Sequence, residues 1–231
     1  GQGKKYVEIL QNSIARNLPE HISFTFNCFT DDPDDYGPGI VKHPLHGGLN
    51  GWWNKLYLLK EGLFKPDDQV FFFDLDTVIT GPLDDILAYN GDFAILRDYY
   101  RPKGLQSSVM SWKPCKATYD IWSIYEKVGF PNVPGGDQAW IEKTIKKPDI
   151  WQELYPDMFV SYKVHAKNGL PKGANVVVFH GSPRPHEATG WVENFWKIGG
   201  VSRLEFCNEA NTPEDDLIRN ISYSTGLDRE W

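Results

Sequence analysis

Apolar and polar residues follow two different periods along this chain, one typical of helices and one of strands. Apolar residues recur every three or four positions over residues 6–18, which predicts an amphipathic helix. Apolar and polar residues alternate over residues 22–28, which predicts a strand. A second helix is predicted over residues 52–61, with Asn50 as its N-terminal cap and Gly62 at its end.

The run Val70–Leu75 is apolar without alternation, which predicts a strand buried on both faces. Further strands are predicted at Phe93–Leu96, Ser108–Trp112 and Asn175–Phe179, and helices at 82–88, Ala117–Val128 and Gln138–Ile145. Strands that alternate with helices in this way are typical of a layered α/β domain. Such domains bind ligands beyond the carboxyl ends of their strands.

The composition changes after residue 200. Residues 205–216 are acidic and polar and contain Pro213, so we expect 201–231 to be an acidic linker or a surface-packed C-terminal tail. Residues 218–227 carry too few apolar side chains to fold alone. Two interpretations stay open for them, a lead into a second domain of a longer protein or docking on the core.

Composition and charge exclude several classes of protein. The 231 residues are 41% hydrophobic, enough for a sizeable core, and the net charge of −7 argues against a general nucleic-acid binder. Cys28, Cys115 and Cys207 are odd in number and form no CxxC motif, as expected of reduced thiols. No apolar run has the length of a membrane span, and no signal-peptide pattern is present. We therefore expect a soluble, cytoplasmic protein.

The apolar run 70–75 passes directly into two aspartates, Asp74 and Asp76. In a strand, residues two apart project from the same face, with Cα atoms roughly 6.6 Å apart. Two carboxylates directed at one point repel each other unless a cation, a proton or solvent intervenes. A hard divalent cation is the usual partner of such a pair.

A second predicted strand, 175–179, ends in His180-Gly181, with Arg184 three residues later. A neutral imidazole could complete a cation site begun by the aspartates. A glycine lets backbone approach a ligand closely, and the arginine offers a planar fork of donors for phosphate. We expect both strands to belong to one sheet, and these groups together predict a site for a metal-bound diphosphate.

Four short motifs resemble those of nucleotide-sugar glycosyltransferases of the GT-A fold, and most closely the retaining, glycogenin- and galactosyltransferase-like group. Asp74-Leu75-Asp76 matches the DxD signature, and His180-Gly181 with Arg184-Pro185 resembles the HG…KP motif. Asp137-Gln138 resembles an Asp-Gln pair that opens a helix, and Ser107-Ser108 stands where the group has a small-residue strand. The resemblance spans about residues 6–200. It implies one GT-A-like (Rossmann-like) domain over residues 1–200, with a mixed, mostly parallel sheet flanked by helices.

The resemblance also implies an activity, metal-dependent transfer of a sugar, most simply a hexose. The donor would be a nucleotide-diphosphate sugar, with a UDP-sugar favoured over other nucleotides. The acceptor would be a glycan or another compound with a hydroxyl group. Mn²⁺ or Mg²⁺ would be held by Asp74, Asp76 and His180. Catalytic roles fall to Asp137 and Gln138, and donor binding to Lys55, Asp74, Asp98, Ser107, Ser108, Gly181 and Arg184. Lys55 is the less favoured of these, because a lysine in such a helix usually faces water.

The chain departs from the group's pattern at three places. Arg184 replaces a lysine, Gln106 stands where asparagine is expected, and no apolar opening strand precedes Tyr6. Two alternatives stay open. A haloacid-dehalogenase-type phosphotransferase would use Asp74 as nucleophile and Asp76 as general acid, and a non-catalytic module would bind nucleotide sugars or carbohydrate without turnover.

Overall fold

A computed structural model describes residues 2–19, 24–197 and 219–224 of the chain. Within these residues the strands are β1 Phe24–Phe29, β2 Ile40–His43, β3 Gln69–Phe73, β4 Thr77–Ile79, β5 Phe93–Arg97, β6 Leu105–Trp112, β7 Asp149–Ile150, β8 Phe159–Ser161, β9 Val176–Val178 and β10 Arg219–Ser224. The α-helices are α1 Gln2–Arg16, α2 Asn54–Tyr57, α3 Asp84–Leu87, α4 Lys116–Lys127, α5 Gly136–Thr144, α6 Trp151–Leu154 and α7 Trp191–Phe195. Short 3₁₀ turns cover Gly51–Trp53 and Pro185–Glu187, and a π-helical turn covers Tyr162–Ala166.

Seven strands form the main sheet, in the order β2-β1-β10-β3-β6-β5-β7. Neighbouring strands run parallel except at β6, which is antiparallel to both β3 and β5. The predicted mixed, mostly parallel sheet flanked by helices is therefore confirmed.

Strand β3 lies in the interior of this sheet and is buried along its whole length. Its three phenylalanines, Phe71–Phe73, pack into the main core together with apolar residues of α1, β6 and α4. The prediction of a strand buried on both faces is confirmed, because side chains on both faces of β3 are shielded from solvent.

Strand β10 occupies the position between β1 and β3 and runs parallel to both. Ile221 pairs with Phe26 on one side and Phe71 on the other, and its side chain is fully buried. Residues 219–224 are therefore a sheet strand and not a surface tail, and they dock on the core. The rest of the expected tail, 201–218 and 225–231, lies outside the described residues.

Strands β4, β9 and β8 form a second, smaller sheet with its own apolar cluster. This corrects the expectation that β3 and β9 share one sheet. The two strand ends still meet, because β4 follows the Asp74–Asp76 segment and pairs antiparallel with β9. Thr77 pairs with Val178, which places the second aspartate beside the chain that leads into His180.

The helix predicted over 52–61 is much shorter in the structure. Only Asn54–Tyr57 is α-helical, and the chain continues through 3₁₀-type bonds, such as that from the Leu59 N–H to the Leu56 carbonyl at 3.1 Å. Asn50 occupies the N-cap position of the 3₁₀ turn that precedes this helix, but its side chain makes no capping hydrogen bond. Gly62 has a φ of +87° where the turn ends, as predicted for the terminating glycine.

The other predicted helices and strands are present, with ends that shift by a few residues. Cys28 and Cys115 carry free thiols, and Cys207 lies outside the described residues. Among the described helices, none has the length and apolar character needed to cross a bilayer.

Candidate active site

The sequence predicted that Asp74 and Asp76 lie within a strand. In the structure they lie in a turn directly after β3, which ends at Phe73. The Thr77 N–H donates to the Asp74 carbonyl at 2.9 Å and closes the turn. The Asp74 N–H donates to the Ser108 carbonyl on β6 at 2.7 Å, which fixes the turn against the main sheet. Both aspartates nevertheless line the same cleft.

Lys55 on α2 is buried at this cleft and pairs with the first aspartate. Its ammonium nitrogen lies 2.7 and 2.9 Å from the two carboxylate oxygens of Asp74, and 3.9 Å from Asp137. Burial alone would lower the pKa of Lys55, but these two carboxylates outweigh it and raise the pKa. A charged ammonium therefore joins the DxD turn to the Asp137 segment.

Asp137 enters the cleft from the first turn of α5. Gly135 and Gly136 have φ values of +91° and +70°, a left-handed backbone that suits glycine and turns the chain into the helix. The Ser107 hydroxyl donates to the Asp137 carboxylate at 2.6 Å. Burial raises the pKa of Asp137, and Lys55 and Ser107 offset part of that rise. A buried carboxylate with a raised pKa in a cleft is typical of functional sites.

Asp76 accepts a hydrogen bond from the Arg184 guanidinium. Burial, and after it the neighbouring Asp74 carboxylate, raise the pKa of Asp76 to about 7, although Arg184 acts in the opposite direction. Arg184 therefore offsets only part of the free-energy cost of a charged Asp76 in this position. A further cation would stabilise the charged form of Asp76.

His180 lines the cleft, and its ring is held by neighbours other than the aspartates. Nε2 lies 2.8 Å from the Ser161 hydroxyl, and the edge of the Tyr100 ring approaches with centroids 5.4 Å apart. Burial, and then the charge of Lys163, lower the pKa of His180, which favours the neutral form of the imidazole.

The three predicted metal ligands do not meet at one point. In the described part of the chain, no three His, Cys, Asp or Glu side chains stand close enough together to hold a metal ion. Two carboxylates and a neutral imidazole around one cleft suit Mn²⁺ or Mg²⁺ by donor type. As arranged, however, Asp76 is held by Arg184 and His180 by Ser161, so a metal would require both partners to release them.

The cleft has a volume of about 570 Å³, within the range of small-molecule sites. Its walls are formed by Trp52, Lys55, Asp74, Leu75, Asp76, Gln106, Ser107, Ser108, Gly135, Gly136, Asp137, Gln138, Phe179, His180, Gly181 and Arg184. The structure thus brings together every predicted site residue except Asp98.

Asp98 instead shapes the loop between β5 and β6. Its carboxylate accepts from the N–H groups of Tyr100 at 2.8 Å and Arg101 at 3.1 Å, and from the Arg101 guanidinium at 2.8 Å. Burial acts in the other direction, but these hydrogen bonds outweigh it and lower the pKa of Asp98. A contact between Asp98 and a donor sugar stays a prediction.

One residue of the cleft wall and one residue close to Gly181 belong to none of the sequence motifs. Trp52 forms part of the cleft wall. Lys163 reaches towards Gly181, where a Cβ would lie 3.2 Å from its ammonium nitrogen. Only the tertiary fold shows this lysine, because it lies in the π-helical turn after β8 and belongs to no motif.

No family model and no curated protein sequence matches the chain. Among solved structures it is similar to the glycosyltransferase GlyE of Streptococcus pneumoniae TIGR4, with a TM-score of 0.58 and 15% identity. The apo form of that protein gives a TM-score of 0.55 and 14% identity. The chain has a glycosyltransferase fold.

In both comparisons 83% of this chain is covered, against 56% of the GlyE chain. The chain thus spans little more than half the length of the solved structures it matches. At this level of identity the likeness establishes the fold, and the chemistry has to be argued from the cleft.

Proposed function

We propose that this protein transfers a sugar, most simply a hexose, from a nucleotide-diphosphate sugar to a hydroxyl-bearing acceptor. The observation that carries the proposal is the set of charged groups in one cleft of a glycosyltransferase fold. Lys55 links Asp74 to Asp137, and Arg184 binds Asp76, in a space of about 570 Å³. A nucleotide sugar combines a diphosphate with a polyhydroxyl ring, and the two ends of the cleft suit these two parts.

The end near Arg184 suits the diphosphate. The guanidinium presents a planar fork that matches phosphate oxygens. Gly181 has a φ of +64° and no side chain, so a phosphate can approach the backbone closely. The ammonium of Lys163 near Gly181 adds a second positive charge.

The end near Asp137 suits the sugar. Ser107 and Ser108 on β6 offer hydroxyl groups, and Gln138 offers an amide. These groups donate and accept hydrogen bonds, as sugar hydroxyls do. Under this proposal, Asp137 and Gln138 orient the donor sugar or the incoming acceptor.

The reaction forms one bond and breaks one. The acceptor hydroxyl oxygen bonds to the anomeric carbon of the donor, and the bond from that carbon to the diphosphate breaks. The nucleoside diphosphate leaves with the bonding electrons, and the hydroxyl proton passes to the departing phosphate. Arg184 stabilises the negative charge that grows on this leaving group.

A divalent cation, Mn²⁺ or Mg²⁺, is part of the proposal as a further source of positive charge at the diphosphate. Asp76, with Asp74 and His180 nearby, would hold it. A diphosphate that draws Arg184 away from Asp76 would free that carboxylate for the metal.

Ligand-induced stabilisation and turnover test the proposal together. UDP, GDP and CDP are added to the protein with and without Mn²⁺, and thermal unfolding is followed. At a hundredfold excess over Kd, the bound nucleotide should raise Tm by about 5–10 °C. UDP-hexoses are then tested for release of UDP, with water or a saccharide as acceptor.

Each alternative function gives its own result in these assays. A binding module would show nucleotide-sugar affinity without UDP release. A phosphotransferase would release phosphate from small phosphoesters instead. If no nucleoside diphosphate shifts Tm and no nucleotide sugar is consumed, the proposal is wrong.

A further inference from the structure

A second recess opens beside the cleft and shares one wall with it. We call it the aromatic recess, and its lining residues are Gly48, Leu49, Asn50, Trp52, Trp53, Tyr125, Phe130 and Asn132. Its volume is about 340 Å³, near the lower end of small-ligand sites. The shared wall is Trp52, which lines both cavities.

The walls of the aromatic recess are held by packing. Trp53 stacks on Tyr125 with centroids 5.2 Å apart and an angle of 12° between the rings. The ring centroids of Phe130 and Tyr125 lie 5.5 Å apart. Left-handed backbone, with φ values of +81° at Gly129 and +57° at Phe130, directs the Phe130 ring towards the recess. A non-glycine residue holds such a φ only where its surroundings stabilise it. The recess is therefore preformed.

Trp52 is unusual in being exposed. Among the described tryptophans it is the most exposed, with 46% of its surface accessible. Its indole packs closely against Gly136, because a Cβ built at Gly136 would lie only 2.7 Å from Trp52 Nε1. The indole thus covers the residue that precedes Asp137. An exposed aromatic ring that lines two adjoining cavities offers a flat apolar surface to a ligand.

The chemistry of the recess fits a neutral, hydroxyl-rich ring. No charged side chain lines it, and exposed amides of Asn50 and Asn132 stand among the aromatic rings. A pyranose has an apolar C–H face, which stacks on an indole, and a rim of hydroxyls, which bond to amides. A peptide segment or a charged acceptor would gain less from these walls.

We infer that the aromatic recess is the acceptor subsite and that it binds a pyranose ring of a saccharide acceptor. The inference rests on the proposed function and gives its acceptor a chemical class. A ring stacked on Trp52 lies beside Gly136 and Asp137, at the sugar end of the cleft. One of its hydroxyl oxygens then bonds to the anomeric carbon, with the nucleoside diphosphate as leaving group and the hydroxyl proton passing to it.

The test compares Trp52→Ala with Trp52→Phe, and uses Tyr119→Ala as a control. Tyr119 is a half-buried aromatic residue on α4 that lines a different surface from the recess. Binding of lactose, maltose, cellobiose and diacetylchitobiose is followed by saturation-transfer NMR, alongside a serine- and tyrosine-containing peptide. UDP affinity is measured by thermal shift, and sugar transfer from UDP-hexoses to the same acceptors by UDP release.

We expect Trp52→Ala to weaken saccharide binding about fivefold to tenfold and to raise the acceptor KM by the same factor. UDP affinity should stay within about twofold, Trp52→Phe should recover most of the loss, and Tyr119→Ala should behave as wild type. The inference is overturned if no saccharide binds, if only the peptide binds, or if Trp52→Ala loses UDP affinity as strongly as acceptor affinity.

The two proposals fail in different ways. Saccharide binding that depends on Trp52, without any binding or use of nucleotide sugars, would support the recess and overturn the proposed function. Transfer that proceeds normally in Trp52→Ala would support the function and overturn the acceptor subsite.

Discussion

Lys55 and Asp74 form an ion pair with a nitrogen–oxygen distance of 2.7 Å, and both side chains are largely shielded from water. The same ammonium lies 3.9 Å from Asp137. Bringing these charges out of water is costly, and each is tolerated because the others are present. Removing one partner would therefore leave the other as an uncompensated charge in the cleft.

Replacing Lys55 with methionine should destabilise the protein by about 3–5 kcal/mol, because two buried carboxylates lose their shared cation. Urea unfolding at pH 7 measures the change. Lys65→Met, at an exposed lysine, is the control and should change the free energy of unfolding by less than about 0.5 kcal/mol. Equal stability of the two variants would show that the ion pair is not important for folding.

The pKa of Asp76, raised to about 7 by burial and by Asp74, predicts a pH dependence of stability. Between the usual carboxyl pKa and 7, the folded state binds a proton that the unfolded state has lost. The stability that this proton gives is complete below about pH 4 and is lost as the pH rises towards 7.

Asp76→Asn removes this titration. Relative to wild type, the variant should gain at least about 1 kcal/mol of stability between pH 5 and pH 8, the equivalent of one pKa unit. Urea unfolding at both pH values, without added divalent ions, gives the difference. A difference between variant and wild type that does not change with pH would contradict the assignment.

Arg184 and a divalent cation compete for Asp76 if the proposed function is correct. Arg184→Ala should weaken UDP binding by about tenfold to a hundredfold, because charge-assisted bonds to phosphate are lost. The same variant should bind Mn²⁺ alone more tightly, because Asp76 no longer has its arginine partner. Calorimetric titrations with UDP and with Mn²⁺ measure both effects.

Arg184→Lys separates charge from geometry in that experiment. A lysine keeps the positive charge but lacks the planar fork, so UDP affinity should fall between wild type and Arg184→Ala. Mn²⁺ affinity that is identical in all three proteins would show that the Arg184–Asp76 pair does not restrict metal binding.

Ile221 anchors β10 in the main sheet, so shortening its side chain should lower the stability of the fold. Ile221→Ala should lower the free energy of unfolding by about 2–5 kcal/mol, the usual range for a fully buried isoleucine. Ile124→Ala, at an exposed position of α4, serves as control and should have little effect. A small effect of Ile221→Ala in urea unfolding would mean that β10 contributes little to the fold.

The parts of the fold that sequence patterns predicted are those decided by local rules. The unbroken apolar run of β3 and the periodicity of α1 and α4 each reflect a face that must be buried. The motifs at Asp74, Asp137 and His180 were also visible, because each is a short run of residues that can be read without knowing the fold. Their common cleft follows from the topology.

The features that sequence patterns did not predict depend on distant partners. Lys55 was the less favoured of the donor-binding candidates, because a lysine in such a helix usually faces water. Asp74 and Asp137 make its burial possible, and neither is near it in sequence. Arg184 meets Asp76 because β4 and β9 pair, a contact between residues 108 positions apart. Residues 219–224 carry few apolar side chains, but Ile221 is fully buried where it pairs with Phe26 of β1 and Phe71 of β3.

Strand β10 also affects how the protein is made. Among the described residues, β1 and β3 are hydrogen-bonded to β10 and not to each other. The β1–β2 pair and the four strands from β3 to β7 can therefore join into one sheet only after residues 219–224 have left the ribosome. Until then, β1 and β3 each have an edge without a hydrogen-bonded neighbour. Such edges are prone to aggregation, and a nascent chain that exposes them is a suitable substrate for chaperones.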